Sequence, residues 1–307
     1  MTGRLFLHIG PPKTATTSLQ LAFESLEHPQ YRYLGVFQPR ERNQGSLAQQ
    51  LHTVVNKGED GPLYSSVEQI KLLVRSGGIV LLSEEMLSLA QNNITTADKI
   101  ALLGRLFNEI PVTVLTTLRD PIDGLPSLYQ ELYQNLPFEL AMSFSRFCSS
   151  DCSECFNYGY LATNLEDAGF SDVRWLDFQG VKAGTITTED IFGTFDLWCC
   201  SPLATTKTNV GEKSGDGSSR ILKPLTLKGL GRSPASRALI DTLGLSGTPF
   251  IKGLSAILDR ISIRRNRKRK LVVPSTRAKE LCDGYDRALC VACGKPLAKT
   301  AAIRDSA

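Results

Sequence analysis

The stretch LFLHIGPPKTATTSLQ, residues 5 to 20, decides how the fold is read. It belongs to an apolar run, Arg4–Ile9, that has the composition of a buried strand. A tight turn carrying Lys13 follows, and a helical pattern then runs over Thr16–Leu26. A strand that feeds straight into a helix leaves the first N–H groups of that helix without intrahelical partners, all facing one concavity. Such a concavity suits an oxyanion. Lys13 adds a full positive charge, while Thr14, Thr16, Thr17 and Ser18 add hydroxyl donors, so a phosphate or sulfate group would be held from several directions.

Outward from this turn the same alternation recurs. Runs at Tyr33–Phe37, Ile79–Ser83, Val112–Leu118 and Asp172–Phe178 are predicted as strands. Helical patterns at Leu47–Val55, Val67–Ser76, Thr96–Phe107 and Ile122–Gln134 lie among them. Apolar strands without strict alternation, interleaved with helices, predict an α/β core with a central parallel sheet covered on both faces. This core is expected over residues 1–200, with a polar loop and a helical C-terminal extension over 201–307 packed on the same domain. TTKTNVGEKSGDGSSR (205–220) reads as an exposed loop, and SRALIDTLGL (236–245) and FIKGLSAILDRISI (250–263) as helical. A final helix is expected to start near Ser275, which can cap it.

The chain has 307 residues and 42% hydrophobic content, ample for a large core. Its 35 basic and 31 acidic residues leave a net charge of +4, too mild by itself to imply nucleic acid. An anionic partner must therefore be recognised locally. The opening MTGRLFLHIGPPK is too short in apolar residues for a secretory signal and runs into a turn instead of a cleavage site. No run approaches the 18 or more apolar residues of a membrane span. The expectation is a cytoplasmic protein whose eight cysteines stay reduced.

The nucleotide-binding pattern GxxxxGK[ST] is not met, since Lys13 follows Gly10 by three residues and no glycine precedes it. HIGPPKTATTSLQ instead resembles the 5′-phosphosulfate loop of sulfotransferases that use 3′-phosphoadenosine-5′-phosphosulfate (PAPS). The likeness is to bacterial carbohydrate-type members, which read roughly HIGxxKTGTTSLQ; Ala15 stands where those have glycine. A second likeness lies in VTVLTTLRDPIDGLPSLYQELY, residues 112 to 133, where Arg119 at a strand end and Ser127 eight residues later resemble the family's 3′-phosphate element. A guanidinium fork and a hydroxyl from a separate element make physical sense as a phosphate grip. IVLLSEEMLS (79–88), DVRWLDFQGV (172–181) and STRAKELCDGYDRAL (275–289) resemble further family segments in the same order. The resemblance covers most of residues 4 to 290.

The resemblance implies a three-layer P-loop-like fold and transfer of a sulfuryl group from PAPS to an acceptor hydroxyl, on a carbohydrate or glycoconjugate. The cofactor-binding residues it implies are Pro12, Lys13, Thr14, Ala15, Thr16, Thr17, Ser18, Arg119 and Ser127. Lys13 would stabilise the leaving group, and no metal is expected. For the base, Glu85 is the first candidate because it aligns with the family's acid, followed by Glu84 and by His52. Each has a plainer reading, as a helix-start carboxylate or a packed histidine. His8, within the first strand, reads as structural. The alternatives are a nucleotide or small-molecule kinase, and a noncatalytic nucleotide- or polyanion-binding protein.

Cys148, Cys152 and Cys155 have the C-x3-C-x2-C spacing of some iron–sulfur enzymes, and Cys290 and Cys293 form C-x2-C. Without a strand before the first group or a histidine near the second, both read as ordinary thiols, and Cys199 and Cys200 read as core or subsurface residues. Arg264–Lys270 places six basic residues in seven positions. It reads as a solvated face with capacity for a polyanion, and the lack of interleaved aromatics disfavours specific nucleic-acid binding.

Overall fold

The computed structural model describes residues 3–37, 40–57, 64–193, 219–222, 225–226, 242, 262–264 and 267–293. Two units are distinguished: Met1–Pro121 with Glu154–Val210 and Glu280–Ala307, and Ile122–Ser153 with Gly211–Lys279.

The first unit is built on five strands: β1 (Arg4–His8), β2 (Tyr31–Tyr33), β3 (Ile79–Ser83), β4 (Val112–Leu118) and β5 (Val173–Asp177). Every pairing is parallel, in the order β2-β3-β1-β4-β5, as the α/β pattern predicts. Parallel neighbours need long crossovers, and helices supply them. In the first unit these are α1 (Thr16–Glu24), α2 (Leu47–Lys57), α3 (Tyr64–Arg75), α4 (Thr96–Phe107) and, numbered in chain order, α8 (Tyr158–Asp167); α5 (Pro121–Leu132, from Ile122 onward), α6 (Phe138–Met142) and α7 (Phe144–Cys148) belong to the second unit. α9 (Phe178–Ala183) and α10 (Thr188–Phe192) follow β5. Both sheet faces are covered: Phe6 and Leu115 join Leu19, Phe23 and Phe192 in one cluster, while Leu5, Leu7 and Val114, alternate along the strands, are also fully buried.

The strand order fixes where a ligand can sit. The chain leaves β1 toward the β2 side and leaves β4 toward β5, so β1 and β4 flank a reversal point. In open α/β sheets the crevice beyond the strand C-termini at such a point takes ligands.

The strand expected at Tyr33–Phe37 is corrected to Tyr31–Tyr33. The Tyr31 ring packs beneath the sheet, 5% exposed, with its hydroxyl donating to Phe23 O at 2.8 Å, and this starts the strand early. Leu34 N and Val36 N still donate to Leu81 O and Ser83 O beyond it. The other strands and helices expected within residues 1–200 hold within a few residues.

In the second unit, Tyr129 packs against Tyr133, Phe144 and Phe147 and donates its hydroxyl to Ala141 O at 2.6 Å. Two small antiparallel sheets follow, pairing β6 (Ser219–Leu222) with β9 (Arg267–Lys270) and β7 (Leu225–Thr226) with β8 (Ser262–Arg264). The extension is therefore not helical throughout; the expected helix at 250–263 ends in strand at Ser262, where Ser262 and Arg264 pair with Thr226 and Leu225 of β7. The rest of that helix, the one at 236–245 except residue 242, most of the loop at 205–220, and Cys199 and Cys200 lie outside the described residues. α11 (Ser275–Ala292) starts where expected, but Ser275 is its first residue and not its cap; the preceding Pro274 O accepts from Ala278 N at 2.7 Å. Among the described residues no helix is long and apolar enough to cross a membrane, and no group of three or more His, Cys, Asp or Glu could hold a metal ion. Burial pushes the Cys148 thiol up to about 12 and that of Cys152 upward, the chemistry of inert packed thiols.

Candidate functional site

The ends of β1, β3, β4 and β5 bring the candidate residues of the first unit to one edge of the sheet. His8 closes β1. Its ring is fully buried, with Nδ1 2.7 Å from Ser83 Oγ on β3 and Nε2 3.4 Å from Thr117 Oγ1 on β4. Burial lowers it to about 4, so it is neutral at physiological pH and bridges three strands. Gly10 follows for a steric reason: a Cβ there would stand 2.8 Å from His8 Nε2 and 3.3 Å from Thr117 N.

The turn itself is held in an unusual shape. Lys13 has φ 69° and Ala15 has φ 62°, both left-handed and neither glycine. Left-handed residues turn neighbouring N–H groups to one side, which is how backbone nests for anions are made. The Thr14 side chain is buried and donates to Pro11 O at 2.6 Å, which braces the turn from within. α1 then starts with no side-chain cap and no acidic residue in its first turn, so its positive end meets no carboxylate of its own helix. Lys13, Ala15 and Thr17 are half-buried, and Pro12, Thr14, Thr16 and Ser18 are buried.

Arg119 arrives from the end of β4. Its Nη1 donates to Lys13 O at 2.5 Å, and its guanidinium lies 4.9 Å from the centroid of the Phe178 ring at the end of β5. Its backbone is bracketed by one hydroxyl: Arg119 N donates to Tyr158 Oη at 2.9 Å, and that hydroxyl donates to Arg119 O at 3.0 Å. Tyr158 is fully buried, and burial drives its hydroxyl well above the usual tyrosine range, so it keeps its proton.

Glu84 and Glu85 follow β3 and differ sharply in surroundings. Glu84 is 5% exposed and its Oε1 accepts Met86 N at 2.9 Å, capping the short 3-10 turn Glu85–Leu87. Glu85 is half-buried, and the Thr16 hydroxyl donates to its Oε2. The structure thus joins Glu85, the opening turn and Arg119 in sequence along the edge. His52 is half-buried on α2, which packs against the Glu85–Leu87 turn. Ser127 belongs to the second unit, partly exposed on α5.

Two contributors were not foreseen. Phe178 closes the predicted strand Asp172–Phe178, and its position at a strand end was the available signal. Tyr158 opens a helix, and nothing in its local sequence distinguishes it. At the opposite edge, Arg4 pairs with Asp172 at 2.7 Å beside a cavity of about 470 Å3, remote from these strand ends. No family model matches the chain, and no curated protein matches it.

Proposed function

We propose that this protein is a PAPS-dependent sulfotransferase with a three-layer P-loop-like core, acting in the cytoplasm on a hydroxyl of a carbohydrate or glycoconjugate. The observation that carries the reading is the bond from Arg119 Nη1 to Lys13 O, which joins two cation-bearing segments 106 residues apart at the reversal point of the sheet. A donor with charged groups on both sides of its ribose asks for two separately anchored cations.

In this reading the amides of Thr14 to Ser18 and the hydroxyls of Thr17 and Ser18, with the backbone of Pro12 and Ala15, hold the 5′ end, while the Thr14 and Thr16 hydroxyls brace the turn and meet Glu85. Arg119 holds the 3′-phosphate, and Ser127 enters on the resemblance alone. The acceptor oxygen attacks sulfur as the bond from sulfur to the 5′-phosphate oxygen breaks. Lys13 balances the charge left on that oxygen, and Glu85 takes the acceptor proton. Glu84 ranks behind Glu85 because its carboxylate already caps a turn. His52 ranks third.

The test incubates the protein with sulfur-labelled PAPS and a panel of glycans, with Lys13→Ala as control. Label transferred by the wild type and lost in the variant is expected. Binding of the nucleotide with no transfer to any acceptor would favour a noncatalytic binder.

A further inference from the structure

Lys99 sits on α4 with no exposed surface, yet it ends in an ammonium. Its Nζ donates to Met86 O at 2.9 Å and to Leu89 O at 2.6 Å. Burying such a group is costly unless hydrogen bonds and opposite charge compensate, so filling space alone would favour methionine or leucine here.

The bonds around it share one target. Glu84 N donates to His8 O at 3.0 Å, tying the start of the segment to β1. Leu87 N and Ser88 N donate to Glu84 O and Glu85 O, and Ser88 Oγ also donates to Glu85 O at 3.1 Å. Thr96 Oγ1, from the first turn of α4, donates to Ser88 O at 2.8 Å. Lys99 supplies the donors for the Met86 and Leu89 carbonyls, on either side of that bond. The side chain of Glu84 is absorbed in the same construction, while Glu85 stands against Thr16.

We propose that Lys99 is a positioning residue: by pinning the main chain at Met86 and Leu89 it fixes the Glu84–Leu89 segment, and so sets where the Glu85 carboxylate stands beside the opening turn. This rests on the reading that Glu85 works at that turn. Lys99 touches neither donor nor acceptor. Burial lowers its ammonium to about 8, and the neighbouring Glu84 carboxylate opposes that shift.

The experiment compares wild type, Lys99→Met and Lys99→Gln in three readouts: steady-state transfer, hydrogen–deuterium exchange over residues 84–89, and the 13C shift of the Glu85 carboxyl. Lys99→Met is expected to speed exchange over 84–89 while β1 and β4 keep their protection, and to move the Glu85 signal. It should lower kcat by about tenfold to a hundredfold, the scale of a small misplacement, with donor KM within about twofold. Lys99→Gln, which keeps an NH2 donor, should recover part of each change, and it decides the matter if Lys99→Met fails to fold. Unchanged exchange, an unmoved Glu85 signal, or a loss confined to donor KM overturns the proposal. If the wild type transfers nothing, the sulfotransferase reading has failed, and exchange with the Glu85 signal still decides whether Lys99 sets that carboxylate.

Discussion

Two turns of the first unit each hold two non-glycine residues in the left-handed region, on opposite terms. At Asn92 (φ 53°) and Asn93 (φ 64°), Gln91 and Ile94 exchange both backbone hydrogen bonds, at 3.0 and 2.8 Å. A two-residue turn of this kind demands positive φ twice, and asparagine adopts it at little cost. Lys13 and Ala15 have no such aptitude, and a left-handed alanine or lysine costs roughly 1–2 kcal/mol. Local preference agrees with the fold in one turn and is overridden in the other. Strain persists where the surroundings over-determine it, and here Arg119 on Lys13 O, Thr14 on Pro11 O and the His8 ring behind Gly10 do so. The opening turn is thus held by its neighbours against the preference of its own residues, while the asparagine turn follows its residues' preference.

The largest effect expected from this contrast lies under the strained turn. The folded pKa of His8 is about 4 against an ordinary 6.5, so the unfolded chain takes up a proton that the folded one refuses. Stability from this group is complete above 6.5 and is lost as pH falls toward 4, by about 3 kcal/mol. Urea unfolding of wild type and His8→Asn at pH 7 and pH 4 checks it; an equal acid loss in both proteins would break the account of the turn's footing.

Gly10→Ala comes next, since its methyl must displace a buried imidazole or the Thr117 backbone. A destabilisation of about 2 kcal/mol is expected in denaturant unfolding. Ala15→Gly works the other way: relief of the left-handed penalty outweighs the added freedom of the unfolded chain, for a gain of about 0.5–1 kcal/mol. A loss of stability there would show that Ala15 is not strained. Asn93→Gly is the smallest, within about 0.5 kcal/mol of wild type, because asparagine already fits. Equal responses at residues 15 and 93 would erase the contrast between the two turns.

Much of this was legible because it is written locally. The apolar runs of β1, β3 and β4 and the lysine between β1 and α1 announce a parallel sheet with a cation at a strand end, and Arg119 stands where β4 runs out. Ala15 could be noted as a departure from glycine, but whether it stands left-handed is a property of the folded turn. The early start of β2 depends on where the Tyr31 ring finds room against Phe23, a tertiary fact. Glu84 and Glu85 are chemically identical neighbours, and only the bonds to Met86 N and Thr16 separate capping acid from outward acid. Tyr158 bonds main-chain atoms 39 residues away and Lys99 bonds carbonyls 10 and 13 residues before it, pairings that no periodicity reveals.

The central claim is that the opening turn and Arg119 grip the two ends of one adenine nucleotide phosphorylated at both its 3′ and 5′ positions. Isothermal titration of the wild type with 3′-phosphoadenosine 5′-phosphate and with ATP, repeated on Lys13→Ala and Arg119→Ala, tests it most directly. The account predicts clear preference for the 3′-phosphorylated ligand and a loss of about tenfold to a hundredfold in each variant, the worth of a hydrogen bond to a charged group. Tighter binding of ATP, or binding indifferent to both substitutions, would contradict it.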